Sequence, residues 1–430
     1  MTSTASHHLP RLLEGLHRDG RALSLREHLA YHGPLPPAGR HSPDTALTDL
    51  VERSGLRGRG GANFPSARKL ASVAAGRGRR VVVANGAEGE PGSAKDKVLL
   101  GQAPHLVLDG AAMAAQAVGA AQVIVAALAP SVPALLSAVS ERDAQRIDRV
   151  RPVVVTVPDR FIAGEESALV NYLNQGPGLP TFVPPRPYER GVGGRPTLVQ
   201  NVETLSHMAL IARHGPDWFR AIGPPEEPGS TLVTVQGALR HPGVYEVARG
   251  MRLSELVRHT GGPTAPIQAF LIGGYAGAWL PADAAWDTPL SDAALREQGG
   301  TLGAGVVLAF PAGACGVAET ARIMTYLAEE SAGQCGPCVH GLAAMARATD
   351  ELARGTARRD VVERLQNWAW QVAGRGACHH PDGAVRMVAS ALRTFSTDVS
   401  AHRQRHVCPG AKGPQTSAAR TPAASGRARR

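Results

Sequence analysis

The feature that most restricts the fold is a series of short β-branched runs alternating with helical stretches. The runs are Arg80-Val-Val-Val-Ala84, Ala121-Gln-Val-Ile-Val-Ala-Ala127 and Arg151-Pro-Val-Val-Val-Thr156. Residues from 110 up to the second run read as helix. From Asp49 to Leu100 the pattern is helix, glycine loop, helix, and the first run ends in a turn at Asn85-Gly86. Apolar strands alternating with helices make a doubly wound α/β layer.

The pattern changes after the Gly/Pro-rich bridge Gly223-Pro-Pro-Glu-Glu-Pro-Gly229. Thr231–Gly237, a turn at His241-Pro-Gly243, and Val244–Val247 read as a hairpin. A short helix, Leu253–Arg258, stops at Gly261-Gly262, and this small β-rich module ends near the apolar strand Gly305–Phe310. From Val317 to Phe395 apolar residues recur three to four apart, as in Ile323, Tyr326, Leu327 and Val385, Val388, Leu392. That period is helical and predicts a small bundle. The expected division is an N-terminal leader (1–48), an α/β domain (49–228), a β-rich domain (229–312), a helical bundle (313–400) and a basic tail (401–430).

The 430 residues, 43% hydrophobic and 19% charged, are ample for a core without a disulfide scaffold, and 49 Gly with 33 Pro imply many loops. Much of the net charge of +10 is local: residues 403–430 hold seven Lys or Arg and no acid. That tail, rich in Ala, Ser, Gly and Pro, reads as disordered. The remainder is only mildly basic and aromatics are 4%, which excludes a stacking surface for nucleic acid. Met1–Pro10 is polar with no apolar segment after it, and the longest uncharged stretch, Gly110–Ser140, is Ala/Gly-rich with two prolines. No signal peptide or transmembrane segment is expected, and the chain is expected to be cytoplasmic. Five cysteines in such a chain point to metal or redox chemistry rather than disulfides.

Four segments carry chemistry. In Gly55-Leu-Arg-Gly-Arg-Gly-Gly-Ala-Asn-Phe-Pro-Ser-Ala-Arg-Lys69 the glycines let backbone N–H groups cradle an anion, with Arg57, Arg59 and Lys69 adding charge. Only four residues of the chain are Lys, and Lys69, Lys95 and Lys97 lie in this region. Asn85-Gly-Ala-Glu-Gly-Glu-Pro-Gly92 follows a strand directly, where open α/β sheets bind ligands, so Glu88 and Glu90 are candidate contacts. Ala163-Gly-Glu-Glu-Ser-Ala168 opens a helix, and Gly193–Thr204 contains a turn and Asn201. Finally, Cys335-Gly-Pro-Cys338 with Cys378 forms a set of three thiols suited to a metal or iron–sulfur site. Cys315 falls outside that set and reads as a buried, incidental thiol, and Cys408 reads as a tail residue.

Taken together and in order, residues 25–400 resemble the flavin-binding subunit of NADH:quinone oxidoreductase (complex I) and the related diaphorase subunits of NAD-linked hydrogenases and formate dehydrogenases. The resemblance implies a Rossmann-like FMN-binding domain, a β-grasp domain of the soluble-ligand-binding type, and an all-α bundle with a [4Fe–4S] cluster. It implies that Gly58, Gly60, Gly61 and Lys69, with Arg57 and Arg59, hold the phosphate. Asn85, Glu88 and Asn201 would contact flavin or ribityl. Phe64, Glu90, Gly164, Glu165 and Glu166 would border the NAD(H) site. No side chain acts as a nucleophile. Cys335, Cys338 and Cys378 would pass electrons to a carrier such as a ferredoxin or another redox subunit, and the basic surface would attract an acidic one.

The departures from the family pattern are specific. Where the family reads Glu-Ser-Cys-Gly-x-Cys-x-Pro-Cys, this chain reads Glu330-Ser-Ala-Gly-Gln-Cys-Gly-Pro-Cys338, so Ala332 replaces a ligand. The cluster then needs solvent, an outside thiol, or His340 or His379, or it is a [3Fe–4S] cluster, incomplete or absent. The family's Lys-Pro-Pro-Phe-Pro is Val183-Pro-Pro-Arg-Pro187, one aromatic is Ser72, an Asp is Ala87, and a loop Gly is Asn63, a residue that tolerates left-handed backbone. Two rivals follow: a degenerate paralogue that binds FMN or nucleotide without oxidising NADH, and a zinc or thiol protein built on the same three cysteines.

Overall fold

The computed structural model describes residues 8–36, 46–404 and 408; nearly all of the expected tail lies outside the described residues. Four strands, β1 (Arg80–Gly86), β2 (Ala120–Ala127), β3 (Pro152–Thr156) and β4 (Thr197–Asn201), form a parallel sheet in the order β3-β2-β1-β4. Side chains alternate across a strand, so each apolar run feeds two cores. Val82, Ala84, Val123 and Val125 face the helices Pro104–Val118 and Val202–His214. Val81, Val83, Ile124 and Ala126 face Leu169 and Val170 of the helix Glu166–Leu173. This is the mixed α/β layer expected of a Rossmann-like flavin domain. The two long helices cross closely because position 110 is glycine: a Cβ there would stand 2.0 Å from the Leu205 carbonyl oxygen.

A second sheet comprises β5 (Ser230–Gly237), β6 (Gly243–Ala248), β7 (Ile267–Ile272), β8 (Ala278–Pro281) and β9 (Val306–Pro311), in the order β6-β5-β9-β7-β8. The β5–β9 pair is parallel and the others are antiparallel. One face packs on the helix Leu253–His259 through Leu253, Leu256 and Val257. The other shares a core with the C-terminal helices: Leu271, Trp279, Leu308 and Phe310 meet Ile323, Met324, Val388 and Phe395. The Trp279 ring stands edge-on to both Phe310 and Phe395, so sheet and helices are one apolar body.

Residues 1–48, expected as a leader, are integral where they are described. Leu12, Leu13, Leu16 and Leu23 lie in the α/β core. The N–H groups of Arg11, Leu12 and Leu13 all donate to the Glu246 carboxylate on β6, at 2.6–3.2 Å. His28 reaches buried Asp109 at 2.8 Å, and Arg142 and Arg213 bind the same carboxylate. Burial alone would raise Asp109, but His28, Arg213 and Arg142 hold it well below the usual carboxylate range.

No single described helix is long and apolar enough to cross a membrane. The pair Lys95–Gln102 and Pro104–Val118 passes by length and composition, but it bends by 95° and is built into the α/β core.

Candidate functional site

The first sheet grows in opposite directions from β1, with β2 and β3 added on one side and β4 on the other. Such a switch point opens a crevice at the carboxyl ends of β1 and β4. Asn85 and Asn201 are register partners at those ends. Asn85 Nδ2 donates to the Gly164 carbonyl at 2.9 Å, and Asn201 Nδ2 to Asp96 at 2.7 Å. Asn201 also caps the 13-residue helix Val202–His214, its Oδ1 accepting from Glu203 N at 3.0 Å.

The glycine loop lies across that helix start. Its ends are pinned by Gly58 N to Phe64 O (2.8 Å) and Ser66 N to Leu56 O (3.1 Å), which leaves Gly60, Gly61 and Ala62 at the tip. A Cβ at Gly60 would stand 3.2 Å from the Asn201 Cβ, so glycine permits the close approach. Asn63 adopts φ +49°, the left-handed backbone that lets it stand where the family has Gly. Loop amides and a helix N-terminus together make an anion cradle, and a flavin phosphate fits that donor set.

The charged candidates divide by partner. Arg57 Nε donates to the Asn63 carbonyl at 2.9 Å and so braces the loop from within. Arg59 is buried: its N–H donates to Thr204 Oγ1 at 2.8 Å and its guanidinium to Ser230 O at 3.1 Å, while its Nε is buried without a partner. Burial lowers Arg59 to about 10. Lys69 Nζ, partly exposed, bonds Val199 O at 2.8 Å and pairs with Glu166 at 3.0 Å. Phe64 is half exposed beside the loop.

Glu88, expected at the flavin, is engaged at a helix start. Its carboxylate accepts from Ser93 Oγ, from Asp96 N at 3.2 Å and from Lys97 N at 2.9 Å, which caps the helix Lys95–Gln102. Glu90 reaches across to the second sheet and accepts from Tyr275 N at 3.0 Å. Burial pushes the Glu90 carboxyl up to about 7 despite the Tyr275 and Gly92 N–H groups. Glu165 is an N-cap, accepting from Ala168 N at 2.9 Å and Ser167 Oγ at 2.6 Å.

A triad that the motifs do not single out lies beneath the cradle. Lys95 pairs with Asp96 at 2.7 Å and with Glu203 at 2.9 Å, all buried. Burial would lower the Lys95 ammonium, but Asp96, Glu203 and Glu88 outweigh it and raise it. The one sequence signal is the scarcity of lysine: a residue almost absent elsewhere is clustered here.

The thiols Cys335, Cys338 and Cys378 come together. Cys338 lies on a π-helical turn, Pro337–Leu342, a local winding that often marks functional positions. Burial pushes the Cys338 thiol up to about 12, with Cys335 beside it adding. Burial raises Cys335 less than the N–H groups of Ala377 and Cys338 lower it, so its thiol sits below the ordinary value. The Ala332 N–H is near enough to lower the Cys338 thiol slightly against burial, while the Ala332 methyl offers no ligand. His340 is exposed, and the fully exposed His379 side chain pairs with Asp382, so neither completes the set. Three thiolates fit an iron–sulfur cluster in which one iron lacks a protein ligand.

One segment joins the two sites. Gly164 receives Asn85, and three residues earlier Phe161 N donates to Glu330 at 2.9 Å. The Phe161 ring stands edge-on to Tyr326 and His380. Burial raises the Cys378 thiol, and the Glu165 carboxylate is close enough to raise it further.

Cys315 and Cys408, expected as an incidental thiol and a tail residue, are brought together. Both lie against His402, Cys315 buried and Cys408 partly so.

Fold and site define a class: a flavin-binding, iron–sulfur-carrying redox subunit. Residues 51–210 match the Nuo51 FMN-binding domain, residues 232–271 the SLBB domain, and residues 318–402 the NADH-ubiquinone oxidoreductase-F iron–sulfur binding region. The chain is 31% identical over 408 residues to the second NADH-quinone oxidoreductase F subunit of Rhizobium meliloti, covering 91% of this chain and 96% of that one. It is 31% identical to the NADH-quinone oxidoreductase F subunit of Streptomyces coelicolor over 89% of this chain and 88% of that one. The structure superposes on a chain of an NAD+-reducing [NiFe]-hydrogenase in the air-oxidised state with a TM-score of 0.81 at 31% identity, covering 92% of this chain and 67% of that one. The chain belongs to the family of NADH-quinone oxidoreductase F subunits.

Proposed function

We infer that this chain is the flavoprotein subunit of an NADH dehydrogenase-type oxidoreductase, passing electrons from NADH through FMN to an iron–sulfur cluster and on to partner subunits. FMN supplies the two-electron to one-electron conversion when bound. The protein's own part is to hold and insulate. Gly58, Gly60, Gly61 and Lys69, with the start of the helix Val202–His214, would seat the phosphate. Asn85 and Asn201 would face flavin or ribityl. Phe64, Gly164 and Glu166 would border nicotinamide. Arg57, Arg59, Glu88, Glu90 and Glu165 would position these groups through the backbone contacts above. Cys335, Cys338 and Cys378 would hold the cluster.

The observation that carries this reading is the segment Arg160–Glu166, which meets the Asn85 corner through Gly164 and, through Phe161, meets Glu330 and the ring of His380, two residues after Cys378. It supports a short path between the two cofactors. The finer architecture we propose is a β-grasp domain for 229–312, because its parallel β5–β9 pair is flanked by antiparallel strands, and a helical iron–sulfur bundle for 313–400. An α/β domain over 49–228 precedes them. We also propose an acidic electron carrier of the ferredoxin kind as partner and a cytoplasmic location.

The test is an anaerobic visible spectrum before and after NADH. Flavin bands with a broad iron–sulfur shoulder, both bleached by NADH, are expected. Flavin that only dithionite reduces would establish the degenerate paralogue, a reading favoured by Val183, Ser72 and Ala87. Absence of flavin would overturn the proposal. Association with an acidic carrier should weaken as salt rises.

A further inference from the structure

The proposed electron path leaves one group of sulfur ligands unused. Cys315 lies between β9 and the helix Gly316–Glu329, His402 is on the last helix, Ser396–Arg403, and Cys408 is beyond it. Cys315 Sγ stands 3.4 Å from His402 Nε2, and Cys408 Sγ stands 3.3 Å from the same nitrogen. All three donor atoms lie within 4.8 Å of one another. Cys315 is 3% and His402 1% exposed.

The imidazole is set as a ligand. His402 Nδ1 is 3.1 Å from the Leu352 carbonyl, which can only accept, so Nδ1 carries the hydrogen and Nε2 the lone pair. The Cys408 N–H, 3.3 Å from Nε2, also requires that nitrogen to be the acceptor. A histidine that donates one ring N–H to a backbone carbonyl while presenting the other nitrogen to sulfur is the common arrangement at metal sites. Cys315 caps the 14-residue helix Gly316–Glu329, and its sulfur accepts from Ala318 N at 3.3 Å. Cys315 is buried beside Cys408 and His402, so two sulfurs and one imidazole nitrogen converge on a single point.

Hydrogen bonding alone is a weak account of the spacing, because a single lone pair on Nε2 cannot serve two sulfurs and an N–H. A tetrahedral ion accounts for it directly. Zinc–sulfur bonds of about 2.3 Å and a zinc–nitrogen bond of about 2.0 Å subtend a nitrogen–sulfur edge of about 3.5 Å. Both observed separations match that edge. Two thiolates and an imidazole suit zinc, which needs no redox change to bind.

We propose that Cys315, His402 and Cys408 bind a structural zinc ion, with solvent as fourth ligand, at a site distinct from the Cys335–Cys338–Cys378 cluster. The ion ties the end of the last helix to the loop that leaves β9, and so locks the helical region against the second sheet.

The test uses the full chain purified with its flavin and iron. Elemental analysis should find about one zinc per chain in addition to iron, and zinc K-edge absorption should show two sulfur neighbours at about 2.3 Å with nitrogen or oxygen making up the rest. Cys315→Ser and Cys408→Ser should each lose that zinc while retaining FMN and iron. Cys338→Ser should retain it. Zinc that leaves with Cys338→Ser and stays with Cys315→Ser would place the metal in the other cluster and overturn the proposal. So would a zinc-free protein, whether its Cys315 and Cys408 peptides are disulfide-linked or free. If the serine variants fail to fold, the zinc content and sulfur count of the unmodified chain decide.

Discussion

Cys335, Cys338 and Cys378 gather around a π-turn, near the backbone of Ala332, a residue without a ligand atom. Cys315, His402 and Cys408 gather elsewhere on the same apolar core, on a helix cap and a carbonyl-anchored imidazole. Among the described residues only the second group has donor atoms all within 4.8 Å. In the first, Cys335 and Cys338 are close while the three sulfurs are not all within that distance, a looser set that would hold a polynuclear cluster. The tight spacing of the second suits a single ion. Donor spacing, more than donor type, separates the two, since both are dominated by thiols.

The largest effect expected is from Cys338→Ser. It should abolish the iron–sulfur absorption and electron transfer to an external carrier while flavin content stays intact. Retained iron and an unchanged spectrum would break the comparison. Ala332→Cys should act in the opposite sense. A fourth thiolate beside Cys338 should raise the iron retained after aerobic gel filtration severalfold, and equal retention would mean that this backbone position does not face the cluster.

Glu90→Gln probes the bridge to Tyr275, whose ring stands edge-on to Tyr326 of the helical region. The buried carboxyl is raised from 4.5 to about 7, so the folded state binds its proton more tightly than the unfolded chain does. Its contribution is full below pH 4.5 and is lost as the pH rises through about 7. Glu90→Gln should remove that decline, so the variant gains on the parent between about pH 5 and 8 by on the order of 1–3 kcal/mol in urea melts. Parallel stability profiles would show that Glu90 ionises freely. The smallest effect is Asn63→Gly, in the glycine loop. Relief of left-handed backbone and extra unfolded-state entropy nearly cancel, so stability should shift by less than about 0.5 kcal/mol with FMN content unchanged. A larger loss of FMN would give the Asn63 side chain a role in binding.

Legibility follows the range of the signal. β1, β2, β3, the β5–β6 hairpin and the C-terminal helices are each announced by several residues of a β-branched run or by three-to-four spacing, and the structure has them. β4 directly follows a turn and lacks a β-branched run like that of β3, and β8 is four residues, too short for periodicity to show. β7 lies between a proline before and glycines after, and no motif marks it. Asn85, Asn201 and the glycine loop are legible because their motifs sit at strand ends. The inward engagement of Arg59 and the capping by Glu88 are not, because a charge in a sequence does not declare whether backbone or ligand will satisfy it. Cys408 is hidden by its low-complexity surroundings, and His402 by the absence of any spacing rule linking it to Cys315.

The Glu246 carboxylate has a consequence for biosynthesis. It gathers three consecutive N–H groups from Arg11, Leu12 and Leu13 across separations of 233–235 residues. The ribosome presents the N-terminal leucines long before the strand that fixes them exists. The contact that fixes Arg11–Leu13 therefore cannot close until β6 has been made. Such late closure favours slow, ordered maturation.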